Sequence, residues 1–299
     1  MVSQLTPAAN GTEVSVLTAK LRRLSAYLSE SIKGQDHVLP RIASVLTRGE
    51  LGLANPRRPR GSFLLVGPTG VGKTETTNVF TECLFGAKPI RFDMSEYQLQ
   101  KSVDRLLGEN ASDPGLLGRA LRGVTRGTLL FDEVEKAHPL VLDLFLQILE
   151  DGRVTLTTGE TLDLTGLYIV CTSNIGSSET MRMENAPFAS VERTVLMRVH
   201  EQLRPELVGR VNEIVVFARL AYPVQRQICE AMIATELNRL TTLGHRIELA
   251  ADTLEMLVRA GYHRMLGARP MRGAVERYLQ EKVAEQLLER PLQLPTEST

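Results

Sequence analysis

The octet Gly67-Pro68-Thr69-Gly70-Val71-Gly72-Lys73-Thr74 limits what this chain can fold into more than any other feature. It fits G-x-x-x-x-G-K-[ST] and lies between a short apolar run, SFLLV, and a stretch of helical texture, which is the strand-loop-helix setting the pattern needs. The glycines let backbone N–H groups converge on phosphate oxygens, and the N-terminus of the following helix adds positive potential. Lys73 is placed to reach β- and γ-phosphates, and the Thr74 hydroxyl suits Mg²⁺.

The texture around the octet predicts an α/β fold with a parallel sheet flanked by helices. Short continuous apolar runs recur at 62–66, 90–92, 128–131 and 167–172, as buried parallel strands do, and 140–149 has the look of a helix between the last two. A further run at 213–217 adds to the sheet. Before it, apolar positions at Val14, Leu17, Leu21, Leu24 and Leu28 predict a helix over 14–31, and a second is predicted over 38–50. Residues 1–13 have the composition of a flexible tail. Past residue 220 the strand-like runs stop. Helices are expected over 224–243, from a capping box at Asp252 and Glu255 to Gly261, and from Pro270 onward. The expected organisation is a tail at 1–13, a large α/β nucleotide-binding domain at 14–219 and a small, mainly helical domain at 220–299.

The run at 128–131 ends in two carboxylates, Asp132 and Glu133, at the strand end where open parallel sheets place their ligands. In a chain that carries the phosphate loop, Asp132 is the candidate for the Mg²⁺ shell and Glu133 for the base that activates water. The cofactors implied are ATP and Mg²⁺.

Other chemistries are set aside on composition. Lysine plus arginine equals 35 and aspartate plus glutamate equals 35, so no global basic field favours nucleic acid. No segment approaches the ~20 apolar residues of a membrane span, no signal peptide is legible, and a cytoplasmic location is expected. Cys83, Cys171 and Cys229 stand far apart without metal-ligand spacing, and each is expected to serve packing.

The segments GSFLLVGPTGVGKTE, RFDMSEY, LLFDEVEKAHP, ILEDGRVT, TSNIGS, LRPELVGRVNE and GYHRMLGARPMR occur in the order found in the second ATPase module of Clp/ClpB-type AAA+ chaperones, which the chain resembles over roughly residues 25 to 290. The resemblance implies a small helical lid domain, a homo-oligomeric ring of six subunits, and a protein client. It also implies roles for particular residues. Asn174 matches the sensor that bonds the attacking water or the γ-phosphate, Arg210 the finger that reaches a neighbouring subunit's nucleotide, and Arg269 the lid's second sensor. Ile32 and Gly34 match the segment beside the adenine, with Lys33 departing from the usual spelling.

Other departures bear on function. Where family members carry a glycine-aromatic-valine-glycine loop that grips polypeptide in the ring's pore, this chain has LLGENASDPGLLGRALRG, with no aromatic between Tyr97 and Phe131. No loop of the kind that docks the ClpP peptidase follows TSN, so no such partner is expected. The family's N-terminal substrate domain, first ATPase module and coiled-coil domain are absent from the sequence, and QLPTEST falls short of the family's last strand. The expected function is an ATPase that remodels a protein assembly without aromatic threading. The alternative is an ATP-switched scaffold whose nucleotide state sets oligomerisation and partner binding.

Overall fold

A computed structural model describes residues 11–263 and 266–289. Residues 1–10 of the expected tail and the C-terminal QLPTEST lie outside them. The chain forms two compact units, one of Met1–Gly67 with Gly72–Ala218 and one of Pro68–Val71 with Arg219–Thr299.

In chain order the first unit contains α1 (Gly11–Ser31), α2 (Leu39–Glu50), β1 (Gly61–Val66), α3 (Lys73–Phe85), β2 (Ile90–Asp93), α4 (Ser102–Leu107), α5 (Gly115–Leu121) and β3 (Gly127–Asp132). There follow α6 (Pro139–Asp151), β4 (Arg153–Thr155), β5 (Thr161–Asp163), β6 (Leu167–Ser173), α7 (Ser177–Arg182), α8 (Phe188–Gln202), α9 (Pro205–Arg210) and β7 (Glu213–Val216). α1 takes in residues 11–13, which the sequence assigns to the tail. Five strands make one parallel sheet in the order β2-β3-β6-β1-β7, while β4 and β5 form a separate antiparallel hairpin.

The continuous apolar runs are explained by this order. β1 and β6 lie inside the sheet and are buried along their whole length, so neither face leaves room for polar alternation. On one face, Phe131 of β3 packs against Phe145 of α6 at a ring distance of 4.3 Å and against Phe92 of β2 at 6.1 Å. α6 is bounded by local signals. Pro139 opens it, the His138 ring accepts from Leu140 N–H, and Gly152 closes it in the left-handed region. Truncating Phe131 to alanine would leave a cavity costing about 3–5 kcal/mol.

The second unit holds α10 (Tyr222–Thr242), α11 (Thr253–Gly261) and α12 (Arg269–Glu289). Cys229, Ile233, Leu257, Met271, Val275 and Leu279 are buried there. α11 and α12 approach so closely that a Cβ on Gly261 would lie 2.6 Å from the Met271 Cα. The capping box expected at Asp252 does not form. Asp252 makes no side-chain cap bond, and Glu255 is taken instead by the Tyr222 hydroxyl and by Arg226 at 3.3 Å, both from α10. Among the described residues no helix is long and apolar enough to cross a membrane.

Candidate functional site

The C-terminal ends of three neighbouring strands, β3, β6 and β1, bring polar residues together at one edge of the sheet. β1 leads into Gly67, whose φ of 139° a side chain rarely adopts and whose Cβ would sit 2.7 Å from the Phe217 carbonyl oxygen. Gly72, with φ 107°, is the N-cap of α3. The first-turn N–H groups of an α-helix have no partners within the helix itself, which is what lets such a start take an acceptor from outside. Pro68, Thr69, Gly70 and Val71, the tip between the two glycines, group with the second unit.

Lys73 is 7% exposed, and its Nζ donates to Gly67 O at 2.6 Å and to Asn174 Oδ1 at 3.1 Å. Thr74 follows it, half-buried in the first turn of α3. Asn174 emerges just past β6. Its orientation follows from chemistry, because a lysine can only donate and a carboxylate can only accept. Oδ1 therefore faces Lys73, while Nδ2 donates to Glu133 Oε1 at 3.1 Å. The other Glu133 oxygen, Oε2, pairs with Lys136 Nζ at 2.5 Å. A continuous side-chain chain thus runs Lys73–Asn174–Glu133–Lys136. The hydrogen bond to Glu133 holds the Lys136 ammonium above the ordinary lysine range, against an opposing effect of burial.

Glu133 is the one non-glycine residue with positive φ among those described, at φ 60° and ψ 50°. Such a backbone costs on the order of 1–3 kcal/mol and persists only where its surroundings enforce it. Here the Glu133 N–H donates to Thr172 Oγ1 at 3.1 Å, and the Thr172 hydroxyl in turn donates to Asp132 Oδ1. Asp132, 6% exposed, places its second oxygen 2.6 Å from Arg91 Nη2 of β2. Glu135 accepts from Asn174 N–H through Oε1 at 3.1 Å, while its buried Oε2 has no partner among the described residues.

Sequence reasoning placed Lys73, Asp132, Glu133 and Asn174 in this cluster but missed Thr172, Arg91, Lys136 and Glu135. Thr172 looks like any β-former in a strand, and Arg91 becomes visible only once β2 is known to lie beside β3, with Asp93 opposite Asp132. Ile32 is buried at the end of α1, with its Cγ2 3.9 Å from where a Cβ on Gly72 would lie, and Gly34 follows in a left-handed turn at φ 73°. Arg210 is not joined to the cluster. It ends α9, and its Nε lies 2.5 Å from Glu150 Oε2 of α6. Arg269, exposed, begins α12 in the second unit.

The donor set suits the expected groups. Hydroxyl and carboxylate oxygens, at Thr74 and Asp132, are the hard ligands that Mg²⁺ prefers. The glycine-lined turn at the head of α3 is the shape a phosphate needs. The cysteines offer no rival chemistry, since burial pushes the Cys171 thiol up to about 12 and the Cys229 thiol up to about 11.

Residues 58–214 match the model of the AAA domain (Cdc48 subfamily), and residues 220–299 match that of the C-terminal, D2-small domain of ClpB protein. The chaperone protein ClpB of Aquifex aeolicus is 37% identical over 90% of this chain and 28% of its own length. Heat shock protein 100 of Trypanosoma brucei brucei is 37% identical over 94% of the chain and 33% of its own. The chain thus spans about a third of the length of these relatives. A closed-state cryo-EM reconstruction of Hsp104 with ATPγS and FITC-casein superposes with a TM-score of 0.82 at 31% identity, covering 94% of this chain and 49% of that one. The chain belongs to the Clp/ClpB-type AAA+ ATPases, and the part of them that it matches is their C-terminal module.

Proposed function

We propose that the chain binds MgATP at the ends of β1, β3 and β6, hydrolyses it within a self-associated ring, and uses the cycle to remodel a protein assembly. The observation that carries this reading is the chain Lys73–Asn174–Glu133, which ties the phosphate loop to the carboxylate that would act as base. On binding, Lys73 exchanges Gly67 O and Asn174 Oδ1 for phosphate oxygens. Asn174, released from Lys73, keeps its Nδ2 on Glu133 and so orients the base. Glu133 accepts the proton of the attacking water, with its left-handed backbone fixed through Thr172 and its carboxylate held by Asn174. Thr74 and Asp132 would hold Mg²⁺, which neutralises charge on the phosphates when bound. Arg210 acts across a subunit interface, exchanging Glu150 for the neighbour's γ-phosphate.

Remodelling proceeds without an aromatic grip on a threaded chain. Gripping arbitrary sequence calls for a large side chain, and an aromatic buries roughly 150–250 Å². The segment 110–114 offers Asn, Ala, Ser, Asp and Pro, and the hairpin of β4 and β5 turns Val154 and Leu156 inward, both buried. The test presents the assembled ATPase with a stably folded fluorescent protein bearing an unstructured tail, plus a trap for unfolded chains. Fluorescence is expected to persist through ATP turnover. Loss that depends on both hydrolysis and the tail would show threading and overturn this part of the reading.

A further inference from the structure

Among the described residues β7 is an edge strand, paired only with β1. Alternate residues of a strand point their backbone groups to the same side. Phe217 N–H donates toward β1, to Val66 O at 2.7 Å, so residues 214, 216 and 218 face away from the sheet. Unpaired groups on such an edge invite strand addition. Here one short segment at the start of α2 occupies them in order. Arg41 Nη2 donates to Ile214 O at 2.8 Å and His37 Nε2 donates to Val216 O at 3.1 Å. Gln35 grips Ala218 at both ends, donating from Nε2 to Ala218 O at 2.9 Å and accepting from Ala218 N at 2.9 Å. Gln35, fully buried, thus stands in for the backbone of an absent strand. Arg41 is anchored in turn by Glu213 at 2.6 Å and Glu192 at 3.0 Å, and the His37 ring packs edgewise on Phe188 at 4.1 Å.

The same segment begins at the phosphate loop, since Ile32 abuts the Gly72 position and Gly34 makes the turn into Gln35. The residue that its Gln35 holds, Ala218, is the last of the first unit. We propose that Gln35 is a positioning residue that fastens the segment beside the phosphate loop to the outer edge of β7, so that a nucleotide base resting on residues 32–34 is registered at Ala218. The proposal rests on the nucleotide reading above, and it separates the base from the phosphates: only a ligand with a base should tighten the clamp.

The experiment uses the full chain, a non-hydrolysable ATP analogue and inorganic tripolyphosphate. The direct readout is hydrogen exchange at the Ala218 amide, which Gln35 Oε1 accepts. The analogue is expected to slow that exchange about tenfold, and tripolyphosphate to leave it within about twofold, on the scale of one hydrogen bond. In Gln35→Leu the slowing should vanish and analogue affinity should fall about tenfold, with tripolyphosphate affinity within about twofold. Gln35→Glu keeps an acceptor for Ala218 N–H and loses the donor to Ala218 O. It should lie between wild type and Gln35→Leu, and it carries the test if the leucine variant does not fold. Unchanged analogue affinity and Ala218 protection in the variant tested would overturn the proposal, as would an equal loss for both ligands. Failure of the analogue to bind wild type would instead overturn the nucleotide reading.

Discussion

Two loops flanked by glycines of the first unit are built from the same parts and end in opposite conditions. Gly67 and Gly72 flank one, Gly108 and Gly115 the other, and all four have positive φ. Both are tight: a Cβ on Gly67 would meet Phe217 O at 2.7 Å, and one on Gly108 would meet Asp113 O at 1.8 Å. Beside the first stand the side chains of Lys73, Asn174 and Glu133, where Lys73 rests on Gly67 O and on Asn174, and Asn174 on Glu133. The second satisfies itself. Asp113 accepts from Glu109 N and Gly115 N, both at 3.1 Å, and from Arg119 at 2.9 Å, while Asn110 Oδ1 accepts from Ser112 N at 3.0 Å and Ser112 Oγ at 2.6 Å. Glycine turns alone do not make a binding loop. What distinguishes the first is polar groups held in exchangeable contacts, whereas the second has spent its own on holding its shape.

The largest effects are expected where the exchangeable contacts are removed. Lys73→Ala should abolish ATP binding. Glu133→Gln should retain binding and slow turnover by about 10² to 10⁴ fold, the scale of a general base. Equilibrium binding of a fluorescent ATP analogue, read beside phosphate release, checks both. Unchanged turnover in Glu133→Gln would remove the first loop's claim to chemistry.

Next in size is Arg210→Ala, expected to lose up to roughly 10³ fold in turnover while still binding ATP. Because Arg210 rests on Glu150 of its own chain, its contribution should appear only when subunits meet, so specific activity should rise with protein concentration. Mixing Arg210→Ala with Lys73→Ala subunits should restore part of the activity, since an intact phosphate loop then meets an intact arginine. Full activity in a strictly monomeric protein at every concentration would refute the assignment.

The contrast between the two loops also shows what sequence carries. The first was legible because its function fixes residue types at fixed spacing, and because β1 and β6, buried on both faces, spell themselves as unbroken apolar runs. α8 was not read as a helix. Its buried stripe is Val191, Val195 and Val199, β-branched residues whose propensity argues for strand, and packing overrides it. The capping box at Asp252 failed for a related reason, because Glu255 found Tyr222 and Arg226 on a different helix, partners no local pattern can announce. Arg91 and Thr172 belong to the site only through strand order. Chemistry written locally could be read, and chemistry assembled by neighbours in the sheet could not.

The smallest expected effect tests whether the second loop is as self-contained as its bonds imply. Asp113→Asn keeps the size of the side chain but turns one acceptor oxygen into a donor, which cannot serve both the Glu109 and Gly115 amides. Exchange of those amides should quicken several-fold, while ATP turnover stays within about twofold, because nothing in the phosphate cluster rests on Asp113. Acid should act the same way on the wild type. The N–H bonds from Gly115 and Glu109, against an opposing effect of desolvation and with help from Arg119, hold the Asp113 carboxyl below its usual value. A carboxyl lowered in the folded state supports the structure above its unfolded pKa of about 3.9 and withdraws that support as pH falls through the folded value. Exchange at Glu109 and Gly115, corrected for its intrinsic pH dependence, should therefore rise only below about pH 4, and Asp113→Asn should show no such rise. A tenfold loss of ATP turnover in Asp113→Asn would break the contrast, placing the self-bonded loop in the working cycle alongside the phosphate loop.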